Sequence, residues 1–151
     1  MSLSHHESES LGKLGEEITA QWLKNQGWEI LASRWRCRWG ELDLVAYDPS
    51  TRDLSFVEVK TRQKGNWDEN GLLAITPHKQ QKLYRTAETF LAHYPQFSTL
   101  ACRFDLALIK ARKDNSNHNN LEALSSIEIN HPVNYQGYRL ILATYLKGIL
   151  E

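Results

Sequence analysis

The sequence is poor in cysteine, methionine and proline, and it has no surplus of either charge. Its two cysteines, Cys37 and Cys102, lie far apart with no C-x-x-C spacing. That argues against a disulfide framework or a zinc knuckle and fits a reducing compartment, so the expectation is a cytoplasmic chain. The histidines (His5, His6, His78, His93, His118, His131) show no zinc-ligand spacing either. Lys+Arg 18 balance Asp+Glu 18. Attraction to a polyanion therefore has to come from local clustering, not from bulk charge. No apolar run is long enough to span a bilayer, and no secretory hydrophobic segment follows Met1, so no membrane partner is expected. What remains is an ordinary globular composition, 41% apolar and 24% charged over 151 residues, enough for one domain with a proper core.

Residues 1–10 are polar and aperiodic and are read as a disordered tail, leaving 11–151 as a single domain. Leu11, Leu14, Ile18 and Trp22 recur at helical spacing, and Gly27 marks the stop. Residues 28–33 read as a strand, and 34–39 (RWRCRW) alternate basic with aromatic or thiol side chains. In 41–48, Glu41 and Asp43 are expected on one strand face, with Leu42 and Leu44 on the other. The turn residues 48–53 and the run 54–61 complete a hairpin. After a loop at about 63–75, Thr76-Pro77 is a capped helix start. That helix should run to about Tyr94, with Leu83, Ala87, Phe90, Leu91 and Tyr94 inward, until Pro95 ends it. Residues 100–109 read as a buried strand, 113–120 as a mobile Asn-rich loop, and 126–130 as a short strand. The spacing in 138–150 suits helix and strand alike. The order helix, three strands, helix, strand predicts an α/β domain with a mixed central sheet flanked by helices.

The chemistry concentrates in two neighbouring strands. Glu58 and Lys60, at i and i+2, share a face, while Val57 and Val59 point the other way. If the preceding strand presents Glu41 and Asp43 alongside, three carboxylates and one ammonium converge. Packed carboxylates repel, and burying them unpaired is costly. A divalent cation such as Mg²⁺ removes that cost, since it is commonly held by one or two carboxylates together with water and substrate phosphate. Taken alone, E-x-K is a common solvated strand face. The acid-bearing strand directly before it makes the pattern informative.

Glu58-Val59-Lys60 preceded by Asp43 resembles the PD-(D/E)xK motif of restriction-endonuclease-like nucleases. More specifically, GELDLVA at 40–46 and FVEVKTR at 56–62 resemble the YraN-like family of predicted endonucleases. So do Gly12-x-x-x-Glu16, Thr76-Pro77-His78-Lys79-Gln80 and Cys102-Arg103-Phe104-Asp105, and the likeness covers roughly residues 11–110. It implies a restriction-endonuclease-like, Holliday-junction-resolvase-like core. It also implies hydrolysis of DNA phosphodiesters with Mg²⁺ or Mn²⁺, on branched or single-stranded substrates in repair, recombination or uptake. By resemblance Asp43 and Glu58 bind the metal, Lys60 is the catalytic lysine and Glu16 completes the acidic cluster. Glu41 and Gln80 are accessory candidates, Gln80 through a Q-x-x-x-Y pattern with Tyr84. The family pattern also favours a strand at 138–144.

Arg34, Arg36, Arg38, Arg62 and Lys64 flank the acidic strands, with Trp35 and Trp39 interleaved. They are the expected nucleic-acid contacts: cations along phosphates, rings against exposed bases. Asn66 and Trp67 lie in the loop that follows. Asp105 reads as a salt-bridge partner rather than a ligand. The alternative is a non-catalytic nucleic-acid-binding or partner module on the same fold, which zero net charge would suit. A third reading has the apolar stretch 138–150 forming a homodimer contact.

Overall fold

The computed structural model describes residues 5–63, 75–114 and 124–150. Helix α1 (His5–Asn25) leads into strands β1 (Glu29–Cys37), β2 (Gly40–Asp48) and β3 (Asp53–Arg62). Helix α2 (Pro77–His93) and a short 3₁₀ turn (Pro95–Phe97) precede β4 (Ala101–Lys113), β5 (Pro132–Tyr135) and β6 (Tyr138–Leu146). The strands form one six-stranded sheet in the order β1-β2-β3-β4-β6-β5. Only β3 and β4 run parallel, and α2 is the crossover between them. The α/β class and the mixed sheet between helices are as expected.

Period-two alternation assigns each helix to its own face. Leu44, Ala46 and Val57 pack with Leu11, Leu14 and Ile18 of α1, together with Ile109, Leu140 and Leu142. Val45, Leu54 and Phe56 pack with Ala87 and Phe90 of α2. α1 ends as its glycine forecasts. Gly27 takes φ +94, its N–H donates to the Lys24 carbonyl, and the Trp28 N–H donates to the Leu23 carbonyl. This paired closure satisfies carbonyls that the helix end would otherwise orphan. α2 starts as forecast too: Thr76 Oγ1 accepts the Lys79 N–H at 3.3 Å, with Pro77 behind it.

Several expectations need correction. α1 begins at His5, inside the presumed tail, because a polar first turn can extend a helix without hydrophobic spacing to announce it. β1 runs on through RWRC to Cys37. No strand forms at 126–130: Asn130 at φ +68 and the His131 N–H to Glu128 carbonyl bond make a turn there, and β5 follows it. Lys113 belongs to β4, and 115–120 of the Asn-rich loop lie outside the described residues. Tyr94 is 37% exposed, not inward, although its ring still lies 4.7 Å from that of Phe90. β6 is a strand flanked by β4 and β5, Leu140 and Leu142 are buried, and Ile149 and Leu150 pack against the α2-side core. No described helix is long and apolar enough to cross a membrane.

Candidate active site

The candidate acids meet where β2 and β3 part. Their ladder runs from Asp48↔Asp53 to Leu44↔Val57 and pairs no residue beyond. β3 itself stays straight, bonded to β4 as far as Arg62. The fork opens because β2 breaks its alternation. Leu44 lies in the α1-side core, yet Leu42, two residues away, lies in the α2-side core with Trp35. On β1, Ser33 faces Leu44 and Trp35 faces Leu42, and between them Arg34 sits at φ +50. A non-glycine residue held there is strained and persists only where its surroundings over-determine it. The expected arrangement, with Leu42 and Leu44 on one face, is therefore corrected. Asp43 occupies the switch between faces.

At that switch its carboxylate serves the fork. Asp43 Oδ2 accepts the Val59 N–H at 2.8 Å. Burial, and then the charge of Glu58, push the Asp43 carboxyl up to about 8, with Val59 and Lys60 opposing. Glu58 and Lys60 lie on the α2 face of β3, as their spacing requires. They pair at 3.1 Å and remain 21% and 30% exposed. Two carboxylates thus confront each other at a partly open site with one ammonium beside them. Oxygen donors that raise one another's proton affinity are the donor set a hard divalent cation suits.

Glu16 arrives from α1. That helix can come close because residue 15 is glycine, where a methyl group would collide with Thr61 Oγ1 on β3. Glu16 is half-buried and its carboxyl is raised, chiefly by burial, with Glu41 and Glu58 adding to the effect. Its oxygen, however, is held by Arg34 Nε at 2.8 Å. Glu16 is thus near the other acids but engaged by an arginine. Among the described residues no three His, Cys, Asp or Glu side chains converge tightly enough to hold a metal. Glu41 pairs with Arg36 at 3.4 Å and lines the same cleft as Glu58 and Lys60. Gln80 is not brought to the acids, and its amide reaches back to the Ile75 carbonyl at 3.5 Å.

The basic and aromatic candidates divide. Arg34 is committed to Glu16 instead of lining the rim, and Trp35 is a core ring, edge-on to Phe90 at 5.4 Å. Arg36 and Arg38 are exposed, and Arg38 lies 4.4 Å over Trp39. Arg62, at the end of β3, is exposed. Lys64, Asn66 and Trp67 lie outside the described residues. Sequence reading missed the opposite wall of the cleft, formed by Lys79 and Lys82 of α2. With Arg85 they recur at i, i+3 and i+6, a one-face helical signal visible in the sequence. The larger cleft, about 410 Å³ between α1 and β1, contains none of Asp43, Glu58 and Lys60.

Asp105 is fully buried and is, as expected, not exposed as a ligand. It accepts Ser55 Oγ at 2.6 Å, Tyr145 OH at 2.7 Å and the Gly148 N–H at 2.9 Å, and pairs with Arg103 at 3.0 Å. Burial and that carboxylate push the Tyr145 hydroxyl up.

Residues 15–109 match the model of uncharacterised protein family UPF0102. The chain belongs to UPF0102. A UPF0102 protein of Synechococcus sp. strain JA-3-3Ab is 53% identical over 143 residues, covering 95% of this chain and 92% of its own length. Those of Synechocystis sp. and Acaryochloris marina are 43% and 42% identical, covering 90% and 91% of this chain and 94% and 88% of theirs. The UPF0102 match takes in Glu16, Asp43, Glu58 and Lys60, and it stops before the Asn-rich loop.

Proposed function

We propose that this UPF0102 chain is a Mg²⁺- or Mn²⁺-dependent endonuclease that hydrolyses DNA phosphodiester bonds at the fork between β2 and β3. One observation carries the reading. Asp43 is withdrawn from water against Glu58 and held there by the Val59 N–H, at a place where the sheet could have closed with apolar residues. A fold keeps such repulsion where a bound cation relieves it. The resemblance to PD-(D/E)xK nucleases supports it independently.

Asp43 and Glu58 would hold the ion. When bound, the divalent cation supplies charge neutralisation at a scissile phosphate and acidification of a water. Lys60, beside Glu58, orients that water or stabilises charge developing on the phosphate. Glu16 would join only by leaving Arg34.

The test is incubation with labelled branched, flapped and single-stranded DNA in Mn²⁺. The intact chain should cut, and Glu58→Ala and Lys60→Ala should abolish cutting. Cutting that survives both substitutions refutes the assignment. One observation favours a second reading, a non-catalytic nucleic-acid-binding module: Glu16 and Lys60 are already paired within the chain. That reading expects binding without cleavage in any divalent metal.

A further inference from the structure

We infer that the cleft between α2 and the β2–β3 fork is a track for one unpaired nucleic-acid strand, with Trp39 as the surface on which a base stacks. The inference rests on the nuclease reading for its chemistry but has its own observations. The cleft, about 240 Å³, has Glu41, Glu58 and Lys60 on its sheet side and only cations, Lys79 and Lys82, as charged groups on its helix side. Among the described residues no carboxylate pairs with Lys79, Lys82 or Arg85, and all three side chains are exposed. α2 carries one acid, Glu88, against these three cations. At about 1.5 Å rise per residue the stripe extends about 9 Å, long enough to meet more than one phosphate of a strand.

Trp39 stands at the end of this cleft, in the turn joining β1 to β2. It is half-exposed, with the guanidiniums of Arg38 and Arg85 within 4.4 Å and 4.6 Å of its ring centroid. Both guanidiniums lie over the ring, so a base stacks on Trp39 by displacing one of them, and the displaced cation is then at hand for the adjoining phosphate. In a duplex the base faces are already covered by neighbours, so the ring selects an unpaired base.

The test is fluorescence anisotropy of the full chain in EDTA, using a labelled single-stranded oligodeoxynucleotide and the blunt duplex of the same sequence. The single strand should bind more tightly. Trp39→Leu should weaken it about 5- to 150-fold, the range for losing one base–aromatic stack. Lys82→Ala should lower the slope of log affinity against log salt by about 0.7. If Trp39→Leu melts early, Trp39→Gln, which also lacks a ring and suits a half-exposed turn, gives the same reading in a folded chain. Equal affinity for duplex, or unchanged single-strand affinity in both the Trp39 and Lys82 variants, overturns the inference. The assay contains no divalent ion. Strand-selective binding without later cleavage in Mn²⁺ therefore keeps this inference and refutes the nuclease, whereas cleavage with no strand preference does the reverse.

Discussion

Replacing Asp43 with asparagine should make the metal-free protein more stable, and increasingly so as pH rises. The amide oxygen can still accept the Val59 N–H that Asp43 accepts at 2.8 Å, so the fork keeps its one bond across the gap. What disappears is a carboxylate whose affinity for its proton has risen from 3.8 to about 8 through burial and the charge of Glu58. A carboxylate raised in the folded state binds its proton more tightly there than in the unfolded chain. Its penalty is therefore absent below about pH 4, grows through neutral pH, and is complete above about pH 8. At about 1.36 kcal/mol per pH unit, the roughly three units between 3.8 and pH 7 set a ceiling of about 4 kcal/mol. The site is partly open to water, and Glu16 and Lys60 adjust around it, so a gain of about 2 kcal/mol at pH 7 is the expectation. For a chain of this size that raises the melting temperature by about 4–8 °C. Thermal unfolding of both proteins in EDTA from pH 5 to pH 8 reads the effect directly. The gap should be small at pH 5 and widen steadily. Mg²⁺ at about ten times its dissociation constant should then stabilise only the wild type, by about 1.4 kcal/mol, and narrow the gap. A gap that stays flat across this range, or an asparagine variant less stable than wild type at pH 8, refutes the argument that Asp43 and Glu58 are held in mutual repulsion.

Two further substitutions test how the site is supported. Gly15→Ala sets a methyl group against Thr61 Oγ1, so α1 must move off β3. Chemical denaturation should show a loss of about 1–3 kcal/mol, largely recovered by adding Thr61→Ala. No recovery would mean the glycine matters for another reason. Asp105→Ala removes the buried acceptor shared by Ser55, Tyr145, Gly148 and Arg103, so a loss of about 3–5 kcal/mol is expected by the same measurement. A loss below about 1 kcal/mol would show that water satisfies those groups instead.

What was legible in the sequence was local. Thr76-Pro77 starts α2 and Gly27 stops α1 because caps and φ preferences act over three or four residues. Glu58 and Lys60 share a face because β3 keeps its pleat along its whole pairing with β4. What was not legible depends on partners distant in the chain. Asp105 lies 50 residues from Ser55 and 40 from Tyr145, and no spacing rule connects them. The turn at Asn130 displaced a strand that composition alone allowed at 126–130. The cationic stripe Lys79, Lys82 and Arg85 was readable at helical spacing on the exposed side of α2.

The most instructive failure is the GELD segment, because it failed where the candidate chemistry lies. Strict alternation would have placed Glu41 and Asp43 together, with β2 zipped to β3 beyond Leu44. A closed ladder would have given the Val59 N–H an ordinary backbone partner and left no opening for a phosphate. The chain instead holds Arg34 at φ +50 on β1 and Gly40 at φ +153 at the start of β2. Gly40 also lets the backbone approach α2, where a Cβ would press to 3.2 Å from Thr86 Oγ1. These two departures switch Leu42 to the α2 side, part the strands and leave Asp43 to bond Val59 in place of the ladder. Strain at Arg34 and repulsion at Asp43 both cost stability, and both are concentrated within one turn of sheet. Departures from local rules are expected where a fold is bent to a task. Here they adjoin the cleft that Glu41, Glu58 and Lys60 share with the cationic helix.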